Sequence, residues 1–178
     1  ELKQTENPLD LAIEGMGFFQ VVMPDGDLAY SRAGSFKKNS DGMVVTSNGY
    51  PLEPEINIPM DALSITIGSD GAVSITRQGE VAATEIGKIE LANFINPAGL
   101  NSTGKNTFLP TDASGEPVTG SPGSEGFGTL LQGYQELSNV NIIEEMVNMI
   151  VGQRAYEINA KAIKSGDEML AMANDLKR

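Results

Sequence analysis

The residues that could perform chemistry in this sequence are one glycine-rich run and many scattered carboxylates. Residues 99–105 follow the G-x-x-x-x-G-K spacing with which a phosphate-binding loop cradles a nucleotide. However, Asn106 stands where a Ser or Thr hydroxyl must bind Mg²⁺, and residues 107–110 do not open a helix whose N-terminus could face a phosphate. The run therefore indicates a glycine-rich turn.

The other chemical patterns are weaker. Residues 15–17 begin a G-x-G-x-x-G pattern, but Gln20 takes the place of the last glycine, which favours a tight turn between strands. The oxygen-bearing side chains at 25–27 and 39–42 lack the spacing and closing Glu of an EF-hand. No spacing selects a carboxylate pair for glycan hydrolysis, which stays only as a remote alternative. We predict no catalytic residue, no cofactor and no metal site.

Composition narrows the possible functions further. The 178 residues include no His and no Cys, which removes Ser-His-Asp and Cys-His nucleophiles, nearly all zinc chemistry and any disulfide framework. No apolar run approaches the roughly 18–20 residues that span a membrane. The first six residues lack the apolar core of a signal peptide. We expect no membrane insertion.

The net charge of −12 is unevenly distributed. Residues 1–136 carry 18 acidic and 7 basic side chains, whereas residues 137–178 carry 6 and 5. The first part would repel phosphate, so we expect no nucleic-acid partner. The second part is nearly neutral, so charge does not prevent copies of it from packing side by side.

Short apolar runs alternate with turn dipeptides over residues 7–95, as in antiparallel hairpins. Asp-Gly or Asn-Gly pairs, a strong hairpin signal, stand between these runs at 25–26, 41–42, 48–49 and 70–71. Residues 86–95 are a further strand candidate. Residues 96–133 are rich in Gly, Ser, Thr, Pro and Asn, which fits a flexible linker or an extended segment ordered only by its neighbours.

A long helix is predicted at the C-terminus. Apolar or small residues recur there at steps of three or four, with the α-helical period of 3.6, at positions 140, 143, 147, 151, 155, 158, 162, 165, 169, 172 and 176. A second series recurs every seven residues, at 142, 149, 156, 163 and 170. Ser138 or Asn139 is the expected N-cap. At about 100° per residue the two stripes lie on roughly opposite sides of the helix.

The size of these stripes predicts assembly. Eight sizeable apolar side chains lie on the first stripe, and at about 1.5–3 kcal/mol each their exposure forfeits on the order of 10–20 kcal/mol. Folding stability is itself only about 5–15 kcal/mol. Packing on the chain's own sheet would cover one stripe but not both. The predicted assembly interface consists of Val140, Ile142, Ile143, Met146, Val147, Met149, Ile150, Tyr156, Ile158, Ile163, Met169 and Leu170.

The sequence therefore predicts a mainly β domain of antiparallel hairpins, an extended linker and a long C-terminal α-helix. The expected boundaries are a β-rich outer domain at 1–112, an extended Gly/Ser/Pro-rich segment at 113–137, and an axial helix at 138–178.

Three blocks of sequence resemble the axial proteins of the bacterial flagellar rod and hook. They are residues 10–21, residues 30–36 together with 42–50, and the helix from Ser138 through residues 153–157 to Leu170. This sequence resembles the rod members more than the hook members. The hook members have large inserted domains, and this chain has no room for one. The family's N-terminal helical segment is not part of this sequence.

The resemblance implies a structural rod subunit that polymerises through its terminal helices into a tubular drive shaft, with the β domain facing outward. It also implies type III export, a place in the basal body across the periplasm, and no enzymatic activity. The implied partners are copies of the chain, other rod and hook subunits, and the flagellar ring bushing proteins. The alternatives are a hook or proximal rod paralogue, and a non-flagellar binding module on a coiled-coil tether.

Overall fold

A computed structural model describes residues 2–79, 82–137 and 142–175. The chain forms two compact units, Glu1–Leu137 and Ser138–Arg178. The described part of the first unit is built from antiparallel sheets, and that of the second is one helix, α1 (Ile142–Asp175). The predicted fold class, mainly β followed by a long C-terminal helix, is confirmed.

The strands of the first unit are short. In chain order they are β1 (Leu2–Gln4), β2 (Leu11–Glu14), β3 (Phe18–Val22), β4 (Leu28–Ser31), β5 (Phe36–Lys38), β6 (Val44–Thr46), β7 (Leu52–Glu53), β8 (Ala62–Ile67), β9 (Ala72–Arg77), β10 (Thr84–Lys88), β11 (Leu91–Asn93), β12 (Asn101–Gly104), β13 (Thr107–Leu109), β14 (Val118–Gly120), β15 (Thr129–Gln132) and β16 (Tyr134–Glu136).

A seven-stranded sheet forms the centre of the unit. Its order is β12-β13-β4-β3-β11-β14, and β7 also pairs with β3. In β3, Phe19 lies opposite Leu91 of β11, and Val21 lies between Ala29 of β4 and Leu52 of β7. A three-stranded sheet, β10-β9-β8, and the pairs β1-β16, β15-β2 and β5-β6 complete the unit.

The Asx-Gly dipeptides lie at turns, as the sequence predicts. Three of them join antiparallel partners, namely β3 with β4, β5 with β6, and β8 with β9. The fourth lies between β6 and β7, where Val45 bridges Pro51. Their glycines have φ between 86° and 92°, which a residue with a Cβ adopts only at a cost.

One predicted strand is divided in two. Residues 86–95 were expected to form a single strand, but β10 ends at Lys88 and β11 begins at Leu91, in a different sheet. Between them Ile89 is buried, and its N–H donates to the Gly71 carbonyl at 2.8 Å. This hydrogen bond connects the segment between β10 and β11 to the turn that joins β8 and β9.

The segment rich in Gly, Ser and Pro at 113–137 contributes three strands. β14 pairs with β11, β15 with β2, and β16 with β1. Each partner lies far away in sequence, so the segment takes its order from its neighbours.

Two apolar clusters stabilise the first unit. The larger one gathers side chains from across the unit, and within it the rings of Phe19 and Phe36 meet edge to face at 5.0 Å. The smaller one surrounds Tyr30, whose ring lies 4.8 Å from that of Phe94. Residues 9–130 supply every buried member of the two clusters.

Arg32 joins the turn between β2 and β3 to the last strand. Its guanidinium donates to the carbonyls of Gly17 at 2.8 Å, Gly15 at 2.6 Å and Ile13 at 3.3 Å. It also pairs with the Glu136 carboxylate at 2.9 Å. A single planar cation with several donors can satisfy this many acceptors, whereas a Lys ammonium cannot reach them in the same geometry.

The side-chain amide of Gln132 covers the outer edge of β8. Its Nε2 donates to the carbonyls of Ile65 at 3.0 Å and Pro8 at 2.9 Å, while its Oε1 accepts from the Ile67 N–H at 3.2 Å. The amide thus hydrogen-bonds to the edge of β8 as a neighbouring strand would. It pairs with the Ile67 N–H and the Ile65 carbonyl, backbone groups that could otherwise pair with a strand of another chain.

The glycine-rich patterns singled out in the sequence form turns. Residues 97–99 make a short 3₁₀ turn before β12, and Lys105 and Asn106, with φ of 53° and 60°, form the bend from β12 into β13. Gly15 and Gly17, with φ of 118° and 135°, form the tight turn between β2 and β3.

The close approach of Gly34 to its neighbours generates a stability prediction. A Cβ at this position would overlap the Leu11 carbonyl oxygen and lie 3.1 Å from the Phe19 ring. Because backbone must move, we expect Gly34→Ala to lower the free energy of unfolding by about 1–3 kcal/mol or more, measured by urea denaturation. The same substitution at Gly152 in α1, where a Cβ meets nothing within 4 Å, leaves the β unit unchanged; equal losses would contradict the steric account.

Burial of Tyr30 generates a prediction about pH. Desolvation raises the pKa of this phenol above its ordinary value of 10.0. The folded state therefore keeps the proton at pH values where the unfolded chain has lost it, so stability falls as pH rises above the unfolded pKa, until the folded pKa is reached. Absorbance titration should show a tyrosine that ionises above the ordinary pKa of 10.0 and that is missing in Tyr30→Phe, and the same variant should lose part of the alkaline destabilisation. An unchanged profile in that variant would contradict the assignment.

Candidate assembly surface on the C-terminal helix

α1 is long for a helix in a small protein. Its 34 residues extend about 50 Å at about 1.5 Å per residue. The helix runs without a break through Gly152 and Gly166. The predicted N-cap, Ser138 or Asn139, and the predicted interface residue Val140 lie outside the described residues.

The predicted interface side chains on α1 are exposed. Nine of them are 51–77% exposed, namely Ile143, Met146, Val147, Met149, Ile150, Tyr156, Ile158, Ile163 and Met169. Ile142 and Leu170 belong to the helix, but their side chains lie outside the described part. Exposed apolar side chains in this number are unusual for a protein that acts alone, because contiguous apolar surface normally marks an interaction site.

The helix arranges the described members in two rows. Met149, Tyr156 and Ile163 repeat every seven residues and follow one line along the axis. Ile158 and Met169 lie on roughly the opposite side, at about 100° per residue. A partner on one side of α1 therefore leaves the other row uncovered, so covering both rows takes at least two neighbours.

Two exposed residues were missing from the predicted interface. Val151 and Met172 are each 60% exposed. Both follow the spacing of three and four that defines the first stripe, so the sequence carried the signal. The exposed apolar surface continues through both positions.

The described residues contain no cluster of three or more His, Cys, Asp or Glu side chains that could hold a metal ion. Nor does any helix in the described ranges have the length and hydropathy to cross a membrane. The exposed apolar side chains of α1 are its most distinctive surface feature. Such side chains are suited to contact with other apolar helices.

Two family models match the chain and define its class. The first, described as the flagellar hook protein FlgE/F/G D1 domain, matches residues 12–75 of the β unit. The second, described as the flagellar basal body rod FlgEFG protein C-terminal, matches residues 131–176. These are the axial proteins of the bacterial flagellum, the class that the sequence blocks resemble.

Individual relatives narrow the class. The flagellar basal-body rod protein FlgG of Buchnera aphidicola subsp. Schizaphis graminum is 51% identical over 98% of this chain and 67% of its own length. That of Borreliella burgdorferi is 51% identical over 100% of the chain and 68% of its own length. The flagellar hook protein FlgE of Escherichia coli is 41% identical over 72% of the chain and 30% of its own length. The chain belongs to the FlgG family of flagellar basal-body rod proteins.

The division into two units generates a prediction about truncation. Because every buried member of the two apolar clusters comes from residues 9–130, a chain that ends at Leu137 should keep the β unit folded. Its urea midpoint, followed by near-ultraviolet circular dichroism, should match that of the longer chain. A chain that ends at Gly128 removes β15 and β16 and serves as the control, which we expect to unfold. Loss of structure on ending at Leu137 would contradict the division.

Proposed function

We propose that this chain is a structural subunit of the flagellar distal rod, which polymerises through α1 into a tubular drive shaft. The observation that carries the proposal is the exposure of nine apolar interface side chains on one helix. The β unit, by contrast, has its own core. A subunit that combines a unit with its own core and a helix with exposed apolar side chains is suited to building a polymer.

The free energy of the exposed side chains supports this function. At about 1.5–3 kcal/mol for each fully buried residue, nine side chains supply on the order of 10–20 kcal/mol or more, gross. Association costs an estimated 4–15 kcal/mol in lost translational and rotational freedom, plus the ordering of side chains. The apolar surface is therefore large enough to offset the cost of adding a subunit.

Membership of the FlgG family puts the chain in the basal-body rod and gives it a structural role. Assembly with other rod and hook subunits follows from the same membership. We further propose contacts with the ring bushing proteins, through the acidic β unit, and export by the type III apparatus. Mechanical transmission needs no catalytic group, so we propose that the chain is not an enzyme.

The axial contacts are assigned to the two rows of α1. In this proposal Met149, Tyr156 and Ile163 contact one neighbour, and the row that contains Val147 and Ile158 contacts another. Val140, Ile142 and Leu170 extend the same rows by their positions in sequence. Two different contacts on opposite sides of the helix repeat from subunit to subunit, and they form an open array where the rotation between subunits does not close into a ring.

Electron microscopy of the concentrated full-length protein tests the function. Straight tubes of uniform width, lost when residues 138–178 are deleted, are the expected result. Discrete dimers or trimers at every concentration would overturn the polymer and favour a binding module on a coiled-coil tether.

Charged substitutions in α1 provide a sharper prediction. We expect Ile143→Lys and Ile150→Lys to abolish polymerisation, because a buried unpaired ammonium costs several kcal/mol, while the β unit stays folded. Sedimentation measures assembly, and circular dichroism checks folding. Asn148→Lys adds the same charge at an exposed position outside both rows and is the matched control. Normal polymers from the Ile143 variant, whose substituted residue lies on the first stripe, would exclude that row as an axial interface.

A further inference from the structure

One face of α1 changes its chemistry halfway along the helix. Residues 18 apart share nearly the same direction, because 18 residues make about five turns. Ile150 and Glu168 form such a pair, as do Met146 and Lys164. Both apolar members are exposed, by 51% and 59%, and both charged members are exposed as well. The same side of the helix is thus apolar near its start and charged near its end.

The apolar part of this face is wide. Met146, Val147, Met149, Ile150 and Val151 are all more than half exposed, and at about 100° per residue they cover about 200° of the circumference, centred on Ile150. We call these five residues the collar. No residue from 146 to 151 carries a charge. The collar therefore presents a third exposed apolar direction, between the two rows.

The charged part begins within one turn of the collar. Arg154, Glu157, Lys161, Lys164 and Glu168 follow at steps of three and four, within about 40° of the direction of Ile150. We call these five residues the charged band. Their side chains are exposed, and burying them in an apolar contact costs several kcal/mol per unpaired charge.

We propose that a second copy of this helix covers the face centred on Ile150 only along the collar, and that the charged band on the same face stays in contact with water in the assembled rod. The inference rests on the proposed function and deepens it. Charge favours a second copy of the helix as the occupant of the collar. Residues 137–178 carry 6 acidic and 5 basic side chains, so a second copy of the helix meets the collar without net repulsion, whereas the β unit, with 18 and 7 over residues 1–136, is strongly acidic.

Cysteine accessibility tests the inference, and the chain offers a clean background because it contains no Cys. Four single variants form two matched pairs on the same face, Ile150→Cys with Glu168→Cys and Met146→Cys with Lys164→Cys. Each is labelled with a water-soluble maleimide, as unassembled full-length protein and as isolated rods. All four should react when unassembled. In rods, labelling should be lost at 146 and 150 and kept at 164 and 168.

The outcomes separate the inference from the function on which it rests. Rods in which both members of a pair are labelled, or both are protected, overturn the change of environment along the face while leaving the polymer intact. Failure of the unsubstituted full-length protein to form rods overturns the proposed function and the inference together. If Ile150→Cys alone blocks assembly, the pair at 146 and 164 decides.

Discussion

The exposed apolar surface of α1 is the constraint on which the rest of the molecule depends. The β unit buries its own core, and the side-chain amide of Gln132 pairs with the edge of β8. On the helix, apolar side chains of both rows are more than half exposed in the part of the chain that the structure describes. One unit of the rod subunit thus has its own buried core. The other carries the exposed apolar side chains whose burial we propose joins subunits.

Local patterns made much of this organisation predictable. The Asx-Gly pairs identify turns because glycine at positive φ is a property of the dipeptide and its nearest neighbours. The rows of α1 follow from a 3.6-residue period maintained over 34 residues, which no strand can reproduce. The three blocks that resemble flagellar axial proteins then connected these elements to a function, and the FlgG relatives confirmed the family.

Features that depend on distant partners were not predictable. The residues near 89 give no sign that the chain leaves one sheet for another there, and the hydrogen bond that Ile89 donates at this point goes to Gly71, in an earlier turn. The role of Arg32 rests on Glu136, which lies 104 residues away. In the helix the sequence predicted both rows, and the exposed Val151 and Met172 lie on the first of them, although they were not among the residues predicted as the interface.

The turns of the β unit also bear on chemical ageing. Asp-Gly and Asn-Gly sequences degrade when the glycine nitrogen attacks the preceding side chain and closes a succinimide ring. In all four such turns that nitrogen already donates a hydrogen bond to a carbonyl three residues earlier, as from Gly49 to Thr46 at 2.9 Å and from Gly71 to Gly68 at 3.0 Å. The same geometry that reverses the chain therefore holds the proton that the glycine nitrogen must lose before it attacks, which should slow succinimide formation at these four dipeptides.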